Sequence, residues 1–228
     1  MSEQLLIPET VRLLRRQWKP HKERLCEENG EHPTVIRFHR ACSWLQRVEQ
    51  NSERQDLDID LLNLWIAFNA LYGQWDEERR EPKPDRASWK QFIEQILRLD
   101  QTDILSSSLT ENRRLVLSLL EDEYLSRYFW QEPGAASAGK ARKLKHSAYS
   151  WYQEKRWIMI LERVLDCVYF LRCQLVHGAS TYGGKLNRTS LKRCVWMLQK
   201  LLPAFLTVWI EHGADEDWGT LCYPPLKT

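Results

Sequence analysis

The run Leu61-Leu62-Asn63-Leu64-Trp65-Ile66-Ala67-Phe68-Asn69-Ala70-Leu71-Tyr72-Gly73 constrains this chain more than any other segment. Asp56, Asp58 and Asp60 supply carboxylates ahead of it and Gly73 closes it, the expected punctuation of a helix. Such a helix is apolar nearly all round, so it has no face to give to water. It must be central, and the rest of the chain must supply the elements that cover it.

Helical spacing recurs along the chain, and strand signals are weak throughout. Leu6, Thr10, Leu13, Leu14 and Trp18 form one stripe over 5–18, with Pro8 tolerated in a first turn. Charged residues with Pro20, Gly30 and Pro33 separate it from a second amphipathic stretch over Val35 to Val48. Ser88 is a candidate cap for a helix carrying Trp89, Phe92, Ile93, Ile96 and Leu97, and Leu115 to Trp130 reads as a further helical region. Gln131 to His146, with its Gly/Ala/Ser run and the cations Lys140, Arg142, Lys143 and Lys145, reads as a mobile basic loop. One long helix is expected from Ser147 to His177, and a last one from Thr189 to about Ile210. The expected fold is all-α: a helical bundle of about four core helices over 51–228, with an N-terminal helical extension over 1–50.

The formal charge of +2 is nearly balanced, which argues against a surface that binds polyanions everywhere and leaves room only for a local patch. Six cysteines at 26, 42, 167, 173, 194 and 222 form no CxxC pair, and they read as reduced thiols, several of them small core residues. The six histidines show no ligand spacing, so neither a metal site nor a cofactor is expected. Met1-Ser2-Glu3-Gln4 opens no signal peptide, and the most apolar stretch, Val195 to Ile210, is broken by Gln199, Lys200 and Pro203. A soluble cytoplasmic protein without a membrane span is expected.

Chemistry is concentrated in Leu171-Arg172-Cys173-Gln174-Leu175-Val176-His177-Gly178. Arginine forks onto phosphate oxygens, and histidine trades protons near neutral pH. The pair suits phosphodiester cleavage without a metal, because RNA carries its own nucleophile, the 2′-hydroxyl. On an ideal helix the two side chains stand about 140° apart and share no face. Either the last turn loosens at Gly178, or each contributes to a cleft shared with a second subunit.

Arg172-x4-His177-Gly178 on a penultimate helix resembles the defining motif of the HEPN superfamily, small helical bundles that include many metal-independent endoribonucleases. Three further segments are similar to one bacterial, Apea-like branch of it: Leu64 to Gly73; His177-Gly178-Ala179-Ser180-Thr181 with Asn187-Arg188; and Asp217-Trp218-Gly219-Thr220-Leu221-Cys222-Tyr223-Pro224. The resemblance spans about residues 57–225. It departs at Cys173, where active members most often carry asparagine.

The resemblance implies cleavage of RNA to 2′,3′-cyclic phosphate ends, with His177 moving the proton and Arg172 clamping the phosphorane-like charge. It also implies a homodimer in which two motifs meet across a two-fold axis, and a toxin or antiviral defence role held in check by an inhibitor or antitoxin. Asn69 is the expected third residue, orienting Arg172 or His177, while Cys173 and Gln174 flank the motif. Lys140, Arg142, Lys143, Lys145, Lys185 and Arg188 are the candidate RNA-binding cations. The alternative is a catalytically inactive HEPN-like module that binds RNA, a nucleotide or a protein.

Overall fold

A computed structural model of the chain describes residues 10–29, 31–51 and 56–223. The start of the first expected helix, before Thr10, lies outside the described residues. Ten helices follow in order: α1 Thr10–Asn29, α2 Pro33–Gln50, α3 Leu57–Tyr72, α4 Asp85–Leu99, α5 Ile104–Glu111, α6 Arg113–Leu120, α7 Arg127–Gln131, α8 Ala135–Gln153, α9 Trp157–Val176 and α10 Arg188–His212. A 3-10 turn at Glu123–Leu125 precedes α7, and a two-stranded antiparallel hairpin pairs Trp75–Asp76 with Glu81–Pro82. The protein is all-α.

α3 is the axis of the fold. Leu61, Leu64, Ala67, Phe68 and Leu71 are fully buried, and Asp56 caps the helix by accepting from the Ile59 amide. α2 and α10 cover it on two sides, with α4 and α9 completing the shell. Aromatic side chains knit these layers: Phe68 stacks on Phe205 of α10 with centroids 5.7 Å apart, and Trp209 stacks on Trp218 at 4.0 Å. Each such ring removes a large apolar area from water.

The region read as an extension shares this core. Phe38, Ala41, Cys42 and Leu45 of α2 and Val11, Leu14 and Trp18 of α1 belong to the same buried cluster as α3. The tie is Arg37, only 1% exposed, whose guanidinium donates to the carbonyls of Leu71, Gly73, Trp218, Gly219 and Thr220. It joins α2, the end of α3 and the C-terminal segment. Burial lowers its pKa to about 10.

Four local expectations need correction. α1 runs through Pro20 to Asn29 rather than stopping near Trp18. Ser88 does not cap α4; the helix starts at Asp85 behind Pro84, and the Ser88 hydroxyl donates to the Pro84 carbonyl from inside the first turn. The expected basic loop is largely helical from Ala135, with Ala141 and Ala148 buried against the fold. Alanine, lysine and arginine are strong helix formers, and that propensity outweighs the single Gly139. The helix expected over 147–177 is in fact two, broken at Lys155, which sits in the left-handed region at φ 54°.

Among the described residues only α10 is long and apolar enough to cross a membrane, and 72% of its most apolar window is buried inside the protein. Its apolar surface is spent on the core.

Candidate functional site

α9 ends in a Schellman arrangement. The Ala179 amide donates to Gln174 O at 2.8 Å and the Gly178 amide to Leu175 O at 3.2 Å, with Gly178 at φ 70°. This makes His177 the C-cap, the residue just past Val176, and fixes where its ring leaves the backbone. The turn stays regular to its end, so the phase separation of the two motif side chains is kept.

Arg172 and His177 open onto different clefts. His177 lines a groove of about 550 Å³ between the end of α9, the 179–187 loop and α7, together with Cys173, Gln174, Lys185, Asn187, Phe170 and Trp130. Among the described residues no carboxylate lines this groove. Gln174 is held across it: its Nε2 donates to Tyr124 O at 3.2 Å and its Oε1 accepts from Asn187 Nδ2 at 3.3 Å.

Arg172 lines a second cleft of about 410 Å³ with Asn69, Arg40, Lys83, Asp85 and Cys222. Its guanidinium lies 6.0 Å from the Trp65 ring centroid, and no carboxylate pairs with it among the described residues. Asn69 is half-buried beside it, its amide free of hydrogen bonds to described residues. Gly73 leaves room for it, since a Cβ there would come within 2.8 Å of Asn69 Oδ1. The carboxylate of the cleft, Asp85, is tied down: Tyr72 donates to it at 3.2 Å, and burial together with Asp85 drives the Tyr72 hydroxyl well above its usual value. Tyr169, whose hydroxyl is raised by burial and then by the Cys173 thiol, also feels Asp85 and Arg172, so Cys173 is in contact with a neighbour rather than idle.

The remaining expected cations divide sharply. Arg188 is ion-paired with the buried Asp58 at 2.5 Å, joining the start of α10 to the start of α3. Lys145 pairs with Glu121. Lys140 sits 4.8 Å over the Tyr128 ring and lines a third cleft, of about 180 Å³, with Arg86, Arg127, Arg163, Asp122 and Asp166. Arg142 and Lys143 are exposed on α8, and Lys185 is exposed at the His177 groove. Among the described residues no cluster of three His, Cys, Asp or Glu side chains could hold a metal. The groove residue Trp130 and the cleft residues Arg40, Lys83 and Asp85 carried no motif of their own. Only tertiary packing brings them to the motif.

Comparison of the chain with models of known families, with curated proteins and with solved structures finds no match.

Proposed function

We propose that the protein is a homodimeric, metal-independent endoribonuclease whose site is completed by Arg172 of one protomer and His177 of the other. The supporting observation is a guanidinium with no carboxylate partner among the described residues and an exposed imidazole at one helix end, facing separate clefts. Neither cleft alone holds both a proton carrier and a free cation of the motif. A two-fold pairing about the end of α9 supplies both to one phosphodiester. His177 takes the 2′-hydroxyl proton, the oxygen attacks the adjacent phosphorus, the P–O5′ bond breaks, and the leaving 5′-oxygen takes a proton from the imidazolium so formed or from water. Arg172, with Asn69 in the same cleft, holds the charge that builds on the phosphoryl oxygens. A toxin or defence effector with an inhibitory partner fits such an activity, because uncontrolled RNA cleavage harms the cell that makes it.

The test is incubation of the purified protein with RNA in excess chelator, followed by end-group analysis. Products with 2′,3′-cyclic phosphates, lost in His177→Ala and Arg172→Ala, support the reading. No cleavage by the wild type, or unchanged cleavage by His177→Ala, overturns it.

One observation favours a second reading, a binding module without turnover. Cys173 replaces a polar amide with a thiol, a weak hydrogen-bond partner, and faces Tyr169. Binding without cleavage by the wild type, with cleavage gained in Cys173→Asn, selects it.

A further inference from the structure

The segment before α8 carries an unusual density of exposed rings. Tyr124 is 42% exposed, Tyr128 41% and Trp130 51%, all within seven residues. The half-exposed Trp130 leaves a broad π face in water, and here the ring is also held in place. Its Nε1 donates to Tyr124 O at 2.9 Å, and Phe129 meets it edge-on at 5.3 Å. The ring therefore presents a fixed face, with little entropy left to lose on contact.

That face lines the His177 groove, whose walls carry Lys185 and, among the described residues, no carboxylate. On the other side of the same segment, Tyr128 lies between Arg127, 4.9 Å from its centroid, and Lys140. These belong to the third cleft, where Arg86, Arg127, Lys140 and Arg163 outnumber Asp122 and Asp166. Phe170 of α9 lines both the groove and that cleft, so the two are neighbours along one surface. Rings interleaved with cations are the general recipe for single-stranded nucleic acid: bases stack on π faces while the backbone follows positive charge. A duplex offers no free base face to Trp130.

We propose that the 124–130 segment is a stacking platform for unpaired RNA, with one base seated on Trp130 beside His177 and the strand continuing over Tyr128 towards Lys140. This deepens the ribonuclease reading and rests on it for the nature of the ligand: it names the substrate as single-stranded and assigns Trp130 to substrate binding.

The test uses a fluorescein-labelled strand of about 12 nucleotides in which every 2′-hydroxyl is methylated, so that binding is read without cleavage. Wild-type protein should bind it at least tenfold more tightly than the same strand annealed to its complement. Trp130→Ala should weaken binding at least about fivefold, and Trp130→Phe, which keeps a π face, should stay within about twofold of wild type. In parallel, a strand carrying 5-bromouracil should photocrosslink to the peptide containing Trp130, a readout that needs no variant. No binding by the wild type, equal binding of single and paired strands, wild-type affinity in Trp130→Ala, or crosslinks only elsewhere would each overturn the platform. Trp130-dependent binding without any RNA cleavage keeps the platform and removes the nuclease. Cleavage with Trp130-independent binding does the reverse.

Discussion

Arg172 and His177 leave one turn of one helix into clefts that share no lining residue, the guanidinium beside Asn69 and the imidazole beside Gln174. Five positions of helical rotation produce this separation, and the regular Schellman end of α9 preserves it. A composite site makes use of the separation, whereas a site within one protomer would have to undo it.

Subunit complementation follows. In a two-fold dimer, a protomer with Arg172→Ala paired with one carrying His177→Ala leaves one of the two sites intact. Each variant alone should be inactive. An equimolar, re-equilibrated mixture should recover roughly a quarter of wild-type activity, because half of the dimers are mixed and each has one working site. RNA cleavage rates of the mixture measure this directly, and a mixture as inactive as its parents argues for sites confined to single protomers.

Arg37 should be among the most costly positions to change. Its five carbonyl contacts satisfy the end of α3 and the 218–220 segment at once. Arg37→Ala strands buried carbonyls without donors and should cost about 3 kcal/mol or more. Arg37→Lys, a point charge with three donors in place of a fork, should recover only part of it. Denaturant melts of the three proteins give the ordering. Cys222 should also become more accessible to thiol reagents in Arg37→Ala, because Arg37 and Arg40 anchor its segment.

Arg37 also shows where sequence reasoning stops. The α3 helix was legible because every face of it is apolar, and no packing detail was needed to place it at the centre. α2 reads as an ordinary amphipathic stretch, and an arginine within it reads as solvated. Only the arrival of the chain's last described turns, some 180 residues later, makes Arg37 a core residue. The same applies at the site. Arg172 and His177 announce themselves by spacing at one helix end, whereas Trp130 joins the groove because the 3-10 turn packs on α9 and α7 packs on that turn, contacts that local periodicity does not encode. The break at Lys155 was illegible for a different reason: no glycine or proline marks it, and a lysine takes the left-handed conformation there.

Asp60 should give folding stability a distinctive pH dependence. Burial, followed by the nearby Asp56, raises its carboxyl to about 6, and its Oδ1 has no hydrogen-bond partner among the described residues. A raised carboxyl binds its proton more tightly in the folded than in the unfolded chain. Its contribution is therefore fully present below the ordinary carboxylate range and is lost as pH rises through about 6. Asp60→Asn should remove this slope between about pH 4 and pH 6 and stabilise the protein at neutral pH by on the order of 1 kcal/mol. Thermal melts of wild type and variant across that range decide it; parallel curves would mean that the carboxylate is solvated.

Arg188 was a candidate phosphate ligand, and its ion pair predicts a different phenotype. Its Nη1 meets Asp58 Oδ2, and the Gly183 amide approaches the same oxygen at 3.3 Å, so one carboxylate holds the start of α10 and the glycine turn to the front of α3. Removing the guanidinium leaves a buried carboxylate half-satisfied, a loss of about 1–3 kcal/mol after discounting for the partly exposed arginine. Arg188→Ala should thus lower the melting temperature while leaving the affinity for RNA within about twofold at temperatures where the variant is folded. Asp58→Asn should destabilise as well, since it removes the charge that Arg188 pairs with. A residue that contacts phosphate would behave otherwise: RNA affinity and its salt dependence would fall together, with the melting temperature unchanged. Measuring melting and salt-dependent binding on the same Arg188→Ala preparation separates the two, and a reduced salt slope would return Arg188 to the RNA surface.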